Sequence, residues 1–254
     1  MRAHCPAVVL CLALSLSHSY AAGGQALSNG PVAVRPFSAV GVAIKAGVAG
    51  FGVEAATPLA HKFNLRGGAS FFNYNVSNLA EDGFNINGTI ALKSINTSLD
   101  WFPFGGKFRV SAGATVYNGN RFNGTATVPG GNTITLNDQD YTSSPTDPVI
   151  ATFGTPDNRF GSRVAPSLTV GLGNLVPRGE GHWSFPFEIG FQYIKPPLIT
   201  LSLTGTACST DGCQSVNSDQ MTQANIEVQQ ARINNDIYDL RFYPILSIGV
   251  GYKF

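Results

Sequence analysis

Apolar and polar residues alternate along most of this chain, most clearly in its last fifteen residues. From Leu240 to Phe254 every even position is apolar, whereas the odd positions are Gly, Ser or charged apart from Tyr243 and Ile245. A period of two is the signature of a strand, with one face wholly apolar and the other small or polar. The same alternation recurs upstream. Trp183–Tyr193 sets Trp183, Phe185, Phe187, Ile189, Phe191 and Tyr193 against Ser184, Pro186, Glu188, Gly190 and Gln192; residues 164–173 and 108–116 behave alike. Phe84–Trp101 is longer and changes phase, with Ile86, Ile90 and Leu92 apolar at even positions and Ile95, Leu99 and Trp101 at odd ones, so a β-bulge is expected near Ser94 and Ile95. Alternation over 63–71, 51–55 and 40–45 brings the total to eight strands, the longer ones of the 9 to 11 residues that a tilted strand needs to cross a bilayer.

The connections differ in length. Pro58–Lys62, Phe102–Gly106 and Asn174–Gly181 are short, whereas 118–161 and 196–235 are long and rich in Thr, Asn, Asp and Ser. Within the first long connection, Phe122–Val128 and Asn132–Leu136 around Pro129-Gly130-Gly131 read as a hairpin. Within the second, Ile226, Ile233, Ile237 and Leu240 recur at helical spacing, which predicts a short amphipathic helix over 220–239.

Composition narrows the class. Only 12% of residues are charged, beside 29 Gly and 17 Phe, and no apolar run after the N-terminal leader is long enough for a spanning helix. That leader has Arg2 and His4, an apolar stretch from Ala7 to Leu16 and the small-x-small pattern Ser19-Tyr20-Ala21, so residues 1–21 are expected to be a Sec signal peptide. Without Arg2 the remaining 15 Lys and Arg equal the 15 Asp and Glu, and no net field draws nucleic acid. Cys5 and Cys11 fall in the leader; Cys208 and Cys213 enclose the turn-forming Ser-Thr-Asp-Gly and are expected to form a loop disulfide in an exported chain.

The C-terminal pattern ending in Val250, Tyr252 and Phe254 resembles the terminal strand of small Gram-negative outer-membrane β-barrels of the OmpA/OmpX/OmpW type. The resemblance implies an all-β fold, an antiparallel up-and-down barrel most simply of eight strands, in contact with outer-membrane lipid. It also implies that Val250, Tyr252 and Phe254 are the signal read by the barrel-assembly machinery. Such barrels keep short turns in the periplasm and long loops outside. The expected organisation is a signal peptide at 1–21, a periplasmic linker at 22–37 and a barrel at 38–254.

The face away from lipid carries Lys45, Glu54, Arg66, Lys93, Asp100, Arg109, Glu188 and Arg241 among small residues. An eight-stranded barrel is only wide enough to be filled by side chains, and charges inside it must pair. Asp100 and Arg109 flank the Phe102–Gly106 turn almost symmetrically and are expected to face each other. No catalytic, cofactor-binding or metal-binding motif is evident, and both histidines beyond the leader, His61 and His182, fall in short turns, away from outer-leaflet chemistry. The pattern therefore points to a non-enzymatic membrane scaffold with surface loops open to an extracellular partner. A narrow channel or carrier for small hydrophobic compounds remains an alternative, which needs ten or twelve strands; segments such as Leu198–Thr204 could supply them. A lipid-modifying enzyme is disfavoured by the placement of the histidines.

Overall fold

The computed structural model describes residues 34–81, 84–210 and 212–254. The signal-peptide segment with Cys5 and Cys11, and most of the linker, lie outside the described residues. The elements are β1 (Gly41–Gly47), β2 (Gly50–Ala60), β3 (Phe63–Glu81), β4 (Phe84–Trp101), β5 (Phe108–Asn118), β6 (Arg121–Val128), β7 (Thr133–Leu136) and β8 (Gln139–Ser143). They continue with β9 (Val149–Gly154), β10 (Ala165–Leu172), β11 (Trp183–Ser184), β12 (Phe187–Tyr193), β13 (Thr200–Thr204), β14 (Thr206–Ser209), β15 (Gly212–Ser215), α1 (Gln220–Asp236) and β16 (Phe242–Lys253).

Eight strands close an antiparallel barrel in the circuit β1-β2-β3-β4-β5-β10-β12-β16 and back to β1. These are the eight strands legible as alternating segments. The apolar faces look outward: Ile44, Phe51, Phe71, Ile189 and Ile248 are all well exposed, while Ala43, Glu54, Ser70 and Glu188 on the other face are buried. This is the reverse of a soluble sandwich and suits a wall bathed in lipid. A bulge lies near the expected place, between Ile95 and Asn96 in the pairing of β4 with β5, but its extra residue is Val116 of β5. β4 runs unbroken against β3 there, so Lys93, Ile95 and Leu99 share one face and Ile90 and Leu92 lie on the other, and the expected change of face within β4 does not occur.

One end of the barrel is closed by short turns, ringed by aromatics. Tyr252 stacks edge-on with both Trp183 and Phe254, at centroid distances of 5.2 and 5.1 Å, and Phe104 meets Phe108 at 5.9 Å. His182 lies here against Tyr252, and His61 sits in the β2–β3 turn.

At the other end the chain builds a folded cap. β3 and β4 continue past the barrel rim, where β4 exchanges β5 for β6, and β9 and β13 extend that sheet. The extra strands thus enlarge a wall above the barrel and leave the barrel at eight. A second sheet, in the order β15-β14-β8-β7, faces it. Between them Val128, Tyr141, Val149, Leu203, Val216 and Ile226 form an apolar core.

Two expectations about these loops need correction. The segment Phe122–Val128 does not pair with Asn132–Leu136: β6 lies between β4 and β9, and β7 pairs with β8. The hairpin forms one step later because Asn137 and Asp138 both adopt left-handed φ, 51° and 63°, the geometry that a two-residue type I′ turn demands. The helix exists, capped by Asp219, whose carboxylate accepts from the amides of Met221 and Thr222. The Thr222 hydroxyl and those amides hold that carboxyl below its ordinary range, so this support fades as pH falls through the lowered value. The helix is not seated by an apolar stripe, since only Thr222 and Ile226 are buried. Instead, amide side chains stitch it to strand edges: Gln230 accepts from the Leu201 amide at 2.7 Å, Asn234 from Ile199 at 2.7 Å, and Asn225 donates to the Tyr141 hydroxyl at 2.7 Å. The free edge of β13 is thereby covered, which blocks strand addition.

Cys208 and Cys213 are bonded and directly opposed across β14 and β15. The loop they close is short, so the bond contributes less than the roughly 3 kcal/mol of a 15-residue loop. Reduction is expected to leave the folded barrel band on unheated gels unchanged, with mass mapping of the unreduced protein returning the two cysteines as one linked peptide.

Candidate functional site: a neutral charge cluster closing the lumen

β2, β3, β4 and β12 each aim one charged side chain at the barrel axis, because Glu54, Arg66, Asp100 and Glu188 occupy the inward positions of their alternation. Arg66 is the hub. Its Nε donates to Asp100 at 3.0 Å, Nη1 to Glu54 at 3.1 Å and to Glu188 at 2.9 Å, and Nη2 to Glu188 at 2.8 Å and Asp100 at 3.1 Å. All five guanidinium hydrogens are thus spent on three carboxylates. Lys45 supports Glu54 from β1 at 3.1 Å; Arg109 stands 3.6 Å from Glu188 and donates to the Gly173 carbonyl at 2.7 Å. The Thr169 hydroxyl completes Glu188 at 2.5 Å. Three cations meet three anions, so the buried cluster is neutral, the condition under which charges are tolerated at such depth.

Six of the eight residues expected in this network are therefore together. Lys93 is not among them. It lies opposite Phe71 on the outward face, because the inward-facing pair at that level is Ser70 with Ser94. Nor is Arg241, which precedes β16 in a single 3-10 turn with its guanidinium 4.3 Å from the Tyr238 ring. Asp100 and Arg109 do not face each other either. The register sets Asp100 against Ser111 and Arg109 against Gly171, so Asp100 turns to Arg66 on the neighbouring strand.

Below the cluster the connection between β10 and β11 folds back into the barrel. Leu175 and Val176 are buried against Ala43 and Ala56. Asn174 accepts from Asn64 and from the Val176 amide, both at 2.9 Å, while Arg178 donates to Asn64 at 2.8 Å. Lys253 holds the same segment through the carbonyls of Pro177 and Gly179. Gly41 is required here, since a Cβ at that position would stand 2.0 Å from the Leu175 carbonyl. Above the cluster a cavity of about 70 Å³, lined by Ser70, Ser94, Asn96, Thr115 and Tyr243 among others, has room for only a handful of waters at roughly 10–15 Å³ each. Among the described residues no group of three or more His, Cys, Asp or Glu is arranged to hold a metal.

Similarity to known proteins is visible in structure alone. Two solved structures of CarO from Acinetobacter baumannii, CarO and CarO2, superpose with a TM-score of 0.58 each, at 20% and 18% identity, covering 87% of this chain and 98% and 100% of theirs. The fold is that of the outer-membrane β-barrels. A third chain, a major outer membrane protein of Thermus thermophilus, aligns with a TM-score of 0.30. No protein-family model matches the sequence, and no curated protein matches it significantly.

Proposed function

We propose that this protein is a closed, non-enzymatic outer-membrane barrel that anchors its folded cap at the cell surface. The observation that carries this reading is the lumen: Arg66 bridges carboxylates from three other strands, and Leu175 and Val176 fill the barrel beneath them. Free space above the cluster is about 70 Å³, below the roughly 300–1,000 Å³ of ligand pockets. The cap, by contrast, has its own apolar core, a helix and a disulfide. In the orientation usual for such barrels the short turns face the periplasm and the cap faces outward. Val250, Tyr252 and Phe254 then lie on the periplasmic side, where the assembly machinery would read them.

Orientation and location are tested together with a membrane-impermeant amine reagent on intact cells. Lys195 at the capped end is expected to be labelled, whereas Lys62 and Lys107 in the short turns react only after the envelope is broken. Labelling of Lys107 in intact cells, or recovery of the chain in the soluble periplasmic fraction, would contradict the reading.

A further inference from the structure

The outward face of the β3–β4 sector changes character in three steps as it leaves the barrel. Inside the barrel span this sector's outward residues include Phe63, Leu65 and Phe71 on β3 and Ile95 and Leu99 on β4, all exposed as lipid-facing side chains are. At the upper limit of that band, Lys93 follows on the same face, paired in register with Phe71. Arg121 is paired with Ala91, two residues beyond Lys93, so the two cations are diagonal neighbours, with Cβ atoms on the order of 7–8 Å apart. Both are exposed, and no carboxylate pairs with either among the described residues. Single cations scattered around a barrel rim are ordinary, but here two stand side by side at the end of the apolar band, at the level where lipid phosphates lie.

Above them the charge stops. Segments 72–80, 84–92, 122–128, 149–154 and 200–204 contain no Asp, Glu, Lys or Arg. Their outward residues fall into cross-strand rows. Asn75, Thr89, Asn123, Gly154 and Thr200 form one row, and Asn87, Thr125, Thr152 and Ser202 the next. These rows line an open groove of about 680 Å³, within the size range of ligand sites. The side chains of Asn123, Thr125, Thr152 and Ser202 make no hydrogen bond among the described residues, so their donors and acceptors are free for a ligand. From Lys93 to Asn85 the wall rises about 26 Å at 3.3 Å per residue.

We propose that this wall binds a phosphorylated glycolipid of the surrounding leaflet, with its acyl chains against the apolar band, its phosphate between Lys93 and Arg121, and its sugars along the amide and hydroxyl rows. The order apolar, cationic, uncharged polar along the strands matches the order acyl chain, phosphate, saccharide in such a lipid. A soluble neutral glycan would have no use for the two cations, and a simple anionic phospholipid would leave the groove empty. The proposal rests on the cap facing the glycolipid-bearing leaflet, which the amine-labelling experiment decides separately.

The test uses the full chain in phosphatidylcholine nanodiscs, where binding does not depend on cellular orientation. The probes are complete lipopolysaccharide, the same material with its phosphates removed, lipid A without further sugars, and phosphatidylglycerol. Complete lipopolysaccharide is expected to bind at least tenfold tighter than any of the other three. Lys93→Gln with Arg121→Gln weakens it about thirtyfold, roughly fivefold per cation, and leaves the dephosphorylated form unchanged. Filling the groove with Thr125→Trp and Thr152→Trp weakens complete lipopolysaccharide and leaves lipid A unaffected. Equal binding of phosphatidylglycerol and lipopolysaccharide overturns the proposal, as does equal binding of lipid A, or a double cation variant with wild-type affinity; heat-modifiable migration verifies that each variant is folded.

Discussion

Replacing Arg66 with Ala is expected to destabilise the barrel by on the order of 3–5 kcal/mol, because it strands Glu54, Asp100 and Glu188 together in the buried lumen with only Lys45 and Arg109 to compensate. The origin of the loss can be separated from simple packing. Arg66→Met combined with Asp100→Asn removes the hub together with one carboxylate, leaves Lys45 with Glu54 and Arg109 with Glu188 as a neutral set, and should recover most of the stability. A double-mutant cycle between Asp100 and Arg66, read by urea unfolding in lipid vesicles, should show strong coupling, whereas the Asp100 and Arg109 cycle should show much less. Comparable coupling in the two cycles would mean that the guanidinium of Arg66 does not organise the cluster.

The second large effect is expected in the cap. Ile226→Ala removes the helix's one buried aliphatic side chain from the core that it shares with Val128, Tyr141, Val149 and Leu203, at a cost of about 2–5 kcal/mol. The damage should stay local, because the barrel strands draw their cohesion from their own closed hydrogen-bonded circuit. Limited proteolysis should therefore cut within 196–235 much faster in the variant, while the barrel fragment retains heat-modifiable migration. Loss of the folded barrel band in this variant would show that cap and barrel fold as one unit.

Much of this architecture is written in the alternation. All eight barrel strands follow from a period of two, because lipid on one side and a crowded lumen on the other enforce it along each of them. Inward charges on the strands are equally legible, but not their partners. Partner choice depends on register between strands: across the Phe102–Gly106 turn Asp100 stands opposite Ser111, two residues beyond Arg109, and on its other side it reaches Arg66 of β3. Lys93 departs from its expected face because the extra residue of the bulge, Val116, belongs to β5, so β4 pairs with β3 without a break there and keeps its phase. The plug is hidden in what reads as a plain turn, although Leu175 and Val176 form an apolar pair inside an otherwise polar connection, and that contradiction is its signal. The cap is the least legible part: its strands are short, their partners distant in sequence, and its helix is held by Asn and Gln side chains that no hydrophobic periodicity reveals.

Whether the barrel is closed is tested most directly by single-channel recording in planar bilayers. The wild-type protein should pass no current steps, and Arg66→Ala combined with replacement of Leu175 and Val176 by glycine should produce them, since both obstructions are then removed. Regular open-channel steps from the wild-type protein would contradict a lumen sealed by the Arg66 cluster and the Leu175–Val176 plug.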